Sequence, residues 1–250
     1  MGFAEAELTH DAFLGGRVHA WQPRHGYRAA TDPVLLAAAV DASAGQSVLE
    51  LGCGAGVASL CLSARVPDLR LTGIERQEDY ADLARRNLGP DARIATADLT
   101  ALPADLRQDS FDHVIANPPY YPAGGGTSAR NAGREAALRE DTALEMWVEI
   151  AARRLAPKGW LTMIHAADRL PDLMAAVATR LGSITLRPLA AREGRSAGRV
   201  LLKARKGGRA PFSLLPPVIL HAGADHRTDG DDFSPLARAI LRDAAPFPWI

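Results

Sequence analysis

Short apolar runs alternate with amphipathic segments along most of this chain, and this alternation constrains the fold more than any other feature. Runs typical of buried strands occupy residues 47–51, 70–75, 92–98, 111–116 and 160–166. Segments with helical spacing lie between them, at 57–66, 78–88, 144–155 and 168–181. Two last strand-like segments, "SITLRPL" and "GRVLLKARK", could pair antiparallel. Strands separated by helices are joined by right-handed crossovers, so we expect a mostly parallel sheet with helices on both faces.

The segments around this pattern predict a single domain with short additions. The first 30 residues lack periodicity, which indicates an irregular arm. Asp32-Pro33 is typical of an N-cap followed by proline at the first helical position, and Thr142 with Glu145 fits a capping box for a later helix. We expect an arm and helix at 1–44, the main α/β domain at 45–210 and an extension of the same domain at 211–250.

Composition restricts the class of protein. Twenty-nine basic residues balance 29 acidic ones, so a nucleic-acid partner would need a local basic patch. The two cysteines, Cys53 and Cys61, are too few for a disulfide framework and fit a reducing, cytoplasmic setting. We see no apolar run of about 18 residues that could span a membrane and no secretory pattern. His221, Asp225 and His226 match no metal-ligand spacing, so we expect no metal.

The loops at the strand ends are the candidate ligand site, because ligands of such sheets bind outside the carboxyl ends of the strands. The first strand ends in "ELGCGAG", with Gly52, Gly54 and Gly56 permitting a tight turn against a ligand. The second strand ends in Glu75, which can accept both hydroxyl protons of a ribose. The third ends in Asp98, which can accept from a ring or exocyclic amine. Tight packing without a ligand and a dinucleotide site are the alternatives, but Val57 stands where GxGxxG requires glycine or alanine.

The fourth strand ends in Asn117-Pro118-Pro119-Tyr120, and these residue types indicate a functional role rather than a structural one. Two prolines remove two main-chain donors and fix two φ angles, and Asn117 is excluded from the helical region. Such an amide–proline pair has no use in holding a pyrophosphate.

These motifs carry a family resemblance. "VLELGCGAG", "GIE", "AD" and "NPPY" resemble the motif series of class I S-adenosylmethionine-dependent methyltransferases. NPPY resembles the branch that methylates amino groups on planar systems, such as adenine N6 or a glutamine amide. "QPRHGYRAATDPVLLAAA" and the downstream segments resemble the bacterial tRNA1(Val) (adenine37-N6)-methyltransferase family over roughly residues 20–222.

The resemblance implies a Rossmann-like fold with a seven-stranded sheet and a terminal antiparallel strand, S-adenosylmethionine as cofactor and a tRNA partner. It implies that Gly52, Gly54 and Gly56 face the methionyl part and that Glu50 orients its ammonium. Glu75 would hold the ribose, Asp98 the adenine amino group, and Tyr27 with Arg28 would close over the carboxylate. At the acceptor, Asn117 and the Pro118 carbonyl would accept from the amine, Pro119 would add rigidity, and Tyr120 would stack on the base.

A basic stretch at 187–209 is a candidate phosphate-binding surface. It contains eight positive residues against the single acid Glu193, and it can also be a solvated edge. The residues we assign to RNA binding are Arg199, Lys203, Arg205 and Lys206, and Arg130, Arg134 and Arg139 could add to them. Cys53 is interpreted as a small filler, and His165 as a core or loop histidine whose hydrogen bonds are satisfied.

Two other functions remain open at this point. The first is methylation of a protein glutamine amide, although those enzymes carry a helical substrate domain ahead of the cofactor fold. The second is a cofactor-binding RNA-binding protein without catalysis, against which the intact NPPY motif argues. The function we predict is methyl transfer to an exocyclic amine, N6 of an adenine in tRNA.

Overall fold

Strands and helices alternate through the computed structural model, which describes residues 2–122, 139–140, 142–223 and 232–250. In chain order its strands are β1 (Leu8–Phe13), β2 (Val18–Pro23), β3 (Ser47–Leu51), β4 (Arg70–Glu75), β5 (Arg93–Thr96), β6 (Phe111–Ala116), β7 (Tyr121–Pro122), β8 (Arg139–Glu140), β9 (Leu155–Ala166), β10 (Gly182–Ala190), β11 (Ala197–Arg205), β12 (Ser213–Leu214) and β13 (Val218–Ile219). Its α-helices are α1 (Thr31–Ala38), α2 (Val57–Arg65), α3 (Glu78–Leu88), α4 (Ala104–Gln108), α5 (Leu144–Arg154), α6 (Leu170–Ala178) and α7 (Pro235–Asp243).

The main sheet has the order β12-β10-β11-β9-β6-β3-β4-β5, with β13 also paired to β10. Strands β5, β4, β3, β6 and β9 run parallel to one another. Strand β11 is antiparallel to both β9 and β10, which confirms the predicted antiparallel pair. Seven strands of the main sheet have four or more residues, namely β3, β4, β5, β6, β9, β10 and β11. The last of them in the chain, β11, lies inside the sheet between β9 and β10, and the two-residue strands β12 and β13 extend the sheet beyond β10.

The prediction of an irregular N-terminal arm is wrong. Strands β1 and β2 form an antiparallel hairpin in register from Leu8↔Pro23 to Phe13↔Val18. The alternation of apolar and polar residues that is typical of strands is absent here, because the outer face of the hairpin carries aromatic rings that pack on one another. His10 stacks on Trp21 with ring centroids 4.4 Å apart, and the Arg86 guanidinium lies 3.9 Å from the Trp21 ring centroid. An outer face of this kind reads as apolar in sequence, so the alternation disappears.

Two predicted helix caps are also wrong. Helix α1 begins at Thr31 after Ala30, which has no side-chain cap, and the Asp32 carboxylate is directed to other partners. Helix α5 begins after Ala143, again without a side-chain cap, so Thr142 forms no capping box. The apolar face of α5 was predicted correctly at Leu144, Val148 and Ala151, which are buried.

Apolar layers cover both faces of the sheet. One layer joins Leu8 of the hairpin, Leu35 of α1, Ile240 of α7 and Trp249 near the end of the chain. The other packs α5 and α6 against the opposite face. The division at 44/45 and 210/211 stays a prediction, but one continuous core includes residues from all three segments. Among the described residues, no helix combines the length and the apolar character needed to cross a membrane.

Candidate active site

A cavity of about 620 Å³ opens where β3, β4, β5 and β6 reach their carboxyl ends. Residues predicted to hold the cofactor line one part of it, namely Tyr27, Arg28, Glu50, Gly52, Gly54 and Glu75. The rest of the predicted site completes it, with Asp98, Asn117, Pro118, Pro119 and Tyr120. Since four parallel strands end at one edge, residues scattered over nearly a hundred positions meet there. Gly56 is the predicted cofactor-facing residue that is absent from this lining.

The three glycines after β3 have different structural roles. All three have positive φ angles, of 63° at Gly52, 53° at Gly54 and 78° at Gly56, which favour glycine. A Cβ at Gly52 would lie 2.5 Å from Trp147 Cη2, and one at Gly56 would lie 2.9 Å from Leu88 Cδ1. A Cβ at Gly54 would meet nothing closer than 3.7 Å. Gly52 and Gly56 therefore permit close packing, whereas Gly54 presents bare main chain to the cavity.

Glu50 is a buried carboxylate behind this turn. It is 4% exposed, and its Oε2 atom accepts hydrogen bonds from Ser59 N at 3.1 Å and Ser59 Oγ at 2.5 Å. Burial raises the pKa of Glu50 to about 7, although the Ser59 bonds oppose that shift. A cation bound beside Glu50 would stabilise the ionised form, so the site suits an ammonium group.

Glu75 is fixed in place by main-chain donors on both sides of it. Its Oε2 atom accepts from Gly54 N at 2.9 Å, and its Oε1 atom accepts from Gln77 N at 2.8 Å. Asp98 follows β5 and caps a short helix by accepting from Thr100 N at 2.8 Å and Thr100 Oγ1 at 2.6 Å. These bonds hold the pKa of Asp98 below its ordinary value, so it is an anion at neutral pH.

The segment before α1 closes the cavity from the side. Tyr27 N donates to Tyr80 Oη at 2.8 Å, and Tyr80 Oη donates to Tyr27 O at 3.1 Å, which joins this segment to α3. The Arg28 guanidinium forms an ion pair with Asp11 at 2.6 Å and donates to Thr9 Oγ1 at 2.9 Å. Arg28 therefore lines the cavity while the hairpin holds its charged end. Its role toward a carboxylate stays a prediction.

A polar network links Asn117 to Tyr120, Asp32 and Arg199, which line the same cavity. Tyr120 Oη lies 2.7 Å from Asn117 Oδ1 and 2.7 Å from Asp32 Oδ2. Arg199 Nε donates to Asp32 Oδ2 at 3.1 Å. Asp32 and Arg199 belong to α1 and β11, so no local motif links them to the NPPY segment. Sequence reasoning assigned Asp32 to a helix cap and Arg199 to RNA phosphates, and the structure places both in the cavity wall.

The Tyr120 ring is already in contact with two side chains. Arg199 Cζ lies 4.3 Å from its ring centroid, and the His165 ring meets it edge-on at 5.3 Å. Burial, then the neighbouring Asp32 charge, raises the pKa of Tyr120, so the phenol keeps its proton. Arg199 covers one face of the ring, and stacking of a base on the other stays a prediction.

The interpretation of His165 as a core histidine is confirmed, because its side chain is fully buried. Its ring nitrogens have main-chain neighbours at Ala166 and Pro119, although neither contact meets strict hydrogen-bond geometry. Burial lowers the pKa of His165 to about 4, so the ring is neutral at physiological pH.

The predicted RNA-binding residues lie at opposite ends of the strands, some at the carboxyl ends of the parallel strands and some toward their amino ends. Since β11 is antiparallel, Arg199 pairs with Ala166 at the carboxyl edge and Arg205 pairs with Trp160 toward the amino edge. Six residues of strand separate them by about 20 Å. Lys203 pairs with Asp41 at 2.8 Å, Arg205 Nε donates to Lys158 O at 3.0 Å, and Lys206 Nζ donates to Leu155 O at 2.7 Å. Arg199 belongs to the cavity, and a phosphate role for the other three stays a prediction.

Other candidate groups contribute little to the site. Cys53 is buried with a pKa well above its ordinary value, as a small filler would be, and its Sγ atom limits the space beside Gly73. Among the described residues, no three His, Cys, Asp or Glu side chains converge as metal ligands. Arg130, Arg134, Asp225 and His226 lie outside the described residues, as do the side chains of Tyr121 and Arg139.

The sheet order, the glycine turn, the carboxylate ending β4 and the NPPY segment ending β6 define a class I S-adenosylmethionine-dependent methyltransferase. The family described as "Methyltransferase small domain" matches residues 30–181. The chain belongs to that family.

Comparisons with individual proteins agree with this assignment. The chain is 31% identical over 204 residues (78% of this chain, 84% of the relative) to a tRNA1(Val) (adenine(37)-N6)-methyltransferase of Actinobacillus succinogenes. It is 32% identical over 231 residues (86% and 89%) to a protein of the same name from Porphyromonas gingivalis. A crystal structure described as a predicted O-methyltransferase from Agrobacterium tumefaciens superposes with a TM-score of 0.69 and 26% identity, covering 86% of this chain and 98% of that one.

The cofactor of the chain is S-adenosylmethionine, and the cavity fits it. Gly54 lines the cavity without a side chain of its own, and a Cβ there would come no closer than 3.7 Å to another atom, Tyr27 Cε1. Glu50 is a buried carboxylate that a cation would stabilise, and both Glu75 oxygens are held in place. These three features lie at the carboxyl ends of β3 and β4, and Asn117 and Tyr120 follow β6, the strand beside β3. The arrangement can therefore hold a methyl donor beside an acceptor.

Proposed function

We propose that this protein transfers the methyl group of S-adenosylmethionine to the exocyclic N6 of an adenine in tRNA. One observation carries the proposal: the Asn117–Tyr120 segment lines the same cavity as Gly54 and Glu75, so acceptor and donor groups share one space. The names of the two curated relatives support adenine N6 in tRNA as the acceptor. A tRNA substrate would also place the protein in the cytoplasm.

On the donor side, the bound cofactor supplies a methyl group already activated by its sulfonium charge. Glu50 would orient the cofactor ammonium, and the carbonyls and N–H groups around Gly54 would lie along the methionyl part. Glu75 would accept from the ribose hydroxyls with oxygens that main-chain donors already hold in place. Asp98 would accept from the adenine amino group, and Tyr27 and Arg28 would cover the carboxylate.

On the acceptor side, the chain has to improve a poor nucleophile. The N6 lone pair of adenine is delocalised into the ring, which keeps the amine planar. Asn117 Oδ1 and the Pro118 carbonyl would accept from the two N–H bonds and favour a pyramidal nitrogen. Pro118 and Pro119 fix the main chain, so these dipoles are already oriented before the reaction. Positioning of the amine against the methyl group supplies the remaining acceleration.

The substrate has to bring its base into this cavity. A paired or stacked adenine cannot reach Asn117, so the base would leave its stack, as bases in single-stranded loops do readily. The face of the Tyr120 ring opposite Arg199 would receive it, and such stacking contributes about 1–3 kcal/mol. Phosphates would be held elsewhere on the surface, with Lys203, Arg205 and Lys206 as candidates.

Incubation with isotope-labelled cofactor and total tRNA tests the proposal. We expect label in tRNA, recovered as N6-methyladenosine by nucleoside mass spectrometry, and none with Asn117→Ala. Asp109→Asn serves as the matched control, because Asp109 pairs with Arg93 at 2.7 Å outside the cavity.

Other distributions of label would replace the proposal. Label in a glutamine side chain would indicate that the substrate is a protein glutamine amide. Label in a free aromatic amine would indicate small-molecule chemistry, because a 4-amino-L-phenylalanine/4-methylamino-L-phenylalanine methyltransferase of Streptomyces pristinaespiralis is 34% identical over 141 residues, 51% of this chain and 46% of that one. No transfer, with intact cofactor binding, would indicate a binding protein.

A further inference from the structure

The Tyr120 hydroxyl has two oxygen neighbours and a single proton. Asn117 Oδ1 and Asp32 Oδ2 both lie 2.7 Å from Tyr120 Oη. One O–H group can donate to only one of them. Two oxygens at that separation without a proton between them repel, so the second contact has to obtain its proton from elsewhere.

Asp32 is the stronger competitor for that proton. A carboxylate accepts a shorter and stronger hydrogen bond than a neutral amide oxygen. Arg199 reinforces the carboxylate by donating to Asp32 Oδ2 at 3.1 Å, and its guanidinium also covers the Tyr120 ring at 4.3 Å. The hydroxyl proton therefore points to Asp32, and Tyr120 Oη turns its lone pairs toward Asn117.

A half-turn of the Asn117 amide supplies the missing proton. Rotation by about 180° about the Cβ–Cγ bond exchanges the oxygen and the nitrogen, which have almost the same shape. Nδ2 then donates to Tyr120 Oη, and both contacts of the hydroxyl have a proton. The same half-turn points Oδ1 away from Tyr120, toward the space where an acceptor amine would lie.

We propose that Asp32 is a positioning residue for methyl transfer. Held by Arg199, it accepts the hydrogen bond that the Tyr120 hydroxyl donates. Tyr120 Oη in turn accepts from Asn117 Nδ2, which leaves the amide oxygen of Asn117 directed at the substrate amine. Asp32 does not touch the substrate; it acts through Tyr120. The inference rests on the proposed function for the identity of the amine, but the hydrogen-bond order concerns this chain alone.

Kinetics of three variants test the coupling. We expect Asp32→Asn and Tyr120→Phe each to lower kcat by roughly 10- to 100-fold, with the cofactor Kd unchanged, because the amide loses its orientation. The double variant should lose no more than Tyr120→Phe alone, since both act on one hydrogen bond. Asp109→Asn, the same change at an arginine-paired carboxylate outside the cavity, should leave kcat unchanged. Additive losses, or an unchanged kcat in Asp32→Asn, would overturn the proposal.

A second readout does not depend on activity. In ¹⁵N-labelled protein, the Asn117 side-chain amide is assigned as the NH₂ pair that disappears in Asn117→Asp. We expect one of its protons to exchange slowly in the parent protein and rapidly in Tyr120→Phe and Asp32→Asn. If both protons exchange rapidly in the parent protein, Nδ2 does not donate to Tyr120 and the inference fails. If exchange behaves as expected while tRNA receives no methyl group, the proposed function fails and the inference stands.

Discussion

Glu75, which ends β4, accepts a 2.9 Å hydrogen bond from the main-chain N–H of Gly54, in the turn that follows β3. The bond joins the two neighbouring strand ends that form the donor side of the cavity. The carboxylate proposed to hold the ribose thus also fixes the glycine turn proposed to lie along the methionyl part. A change at Glu75 should therefore disturb both parts of the cofactor site.

Glu75→Ala should weaken binding of S-adenosylmethionine by about 100-fold or more, because hydrogen bonds to a charged group each contribute about 1.5–3 kcal/mol. Glu75→Gln should weaken binding by a similar factor. Its NH₂ group would face the main-chain N–H of Gly54 or of Gln77, and two donors cannot form a hydrogen bond with each other. Isothermal titration with Asp109→Asn as control provides the measurement. Undiminished affinity in Glu75→Ala would remove its ribose role.

Alanine at Gly52 and at Gly54 should have different consequences. Gly52→Ala should lower the Tm by about 5 °C more than Gly45→Ala, because its Cβ would contact Trp147 whereas Gly45, with φ of 81°, has no neighbour within 4 Å. Gly54→Ala should match Gly45→Ala in Tm but lose cofactor affinity. Thermal unfolding and titration of the three variants separate packing from binding. Equal Tm values for Gly52→Ala and Gly45→Ala would contradict the packing role.

Glu50 should make stability depend on pH in a particular direction. Its pKa is about 7 in the folded protein against an ordinary value of 4.5, so between these values the folded state holds a proton that the unfolded state has lost. Stability from this group is therefore present at low pH and declines as the pH rises to about 7, by about 3–4 kcal/mol at most.

Glu50→Gln should remove that decline, because glutamine does not titrate. The measurement is the free energy of unfolding in urea at pH 5.5 and pH 8 for both proteins. We expect the variant to gain stability relative to the parent at pH 8. Identical pH dependence in the two proteins would show that Glu50 is ionised throughout this range.

Charge reversal of Arg205 and Lys206 should weaken tRNA binding and reduce its dependence on salt, because the loss of phosphate contacts lowers the number of counterions released. Both residues lie far from the cavity, so kcat at saturating tRNA should stay unchanged. Binding measured over a series of KCl concentrations gives the slope. If affinity and slope are unaltered, the two side chains do not bind phosphates and only form their hydrogen bonds with the carbonyls of Lys158 and Leu155.

The donor side of the cavity could be predicted from sequence in most respects. Glu50, Gly54, Glu75 and Asp98 each end a strand or follow one directly, and parallel strands bring such ends together. The cofactor role of Gly56 stays a prediction, because Gly56 is absent from the cavity lining and a Cβ there would contact Leu88. A positive φ angle serves packing as readily as ligand contact, and the sequence alone does not reveal this neighbour.

The acceptor side could be predicted only at Asn117 to Tyr120. Asp32 lies 88 residues from Tyr120 and 167 residues from Arg199, and helix-cap and charge patterns explained both residues without a tertiary contact. The division of the basic stretch was missed for the same reason. The sequence predicted that β11 pairs antiparallel with β10, but not that β11 lies between β9 and β10, with Arg199 at the cavity.

The interior position of β11 has a consequence for biosynthesis. Chains grow from the amino terminus, and the parallel strands from β3 to β6 leave the ribosome well before residue 199. A nascent chain that ends before residue 199 already contains the residues proposed to hold the methyl donor but lacks the arginine that secures the Asp32–Tyr120 contact. The proposed donor side of the cavity is therefore complete in sequence before the proposed acceptor side.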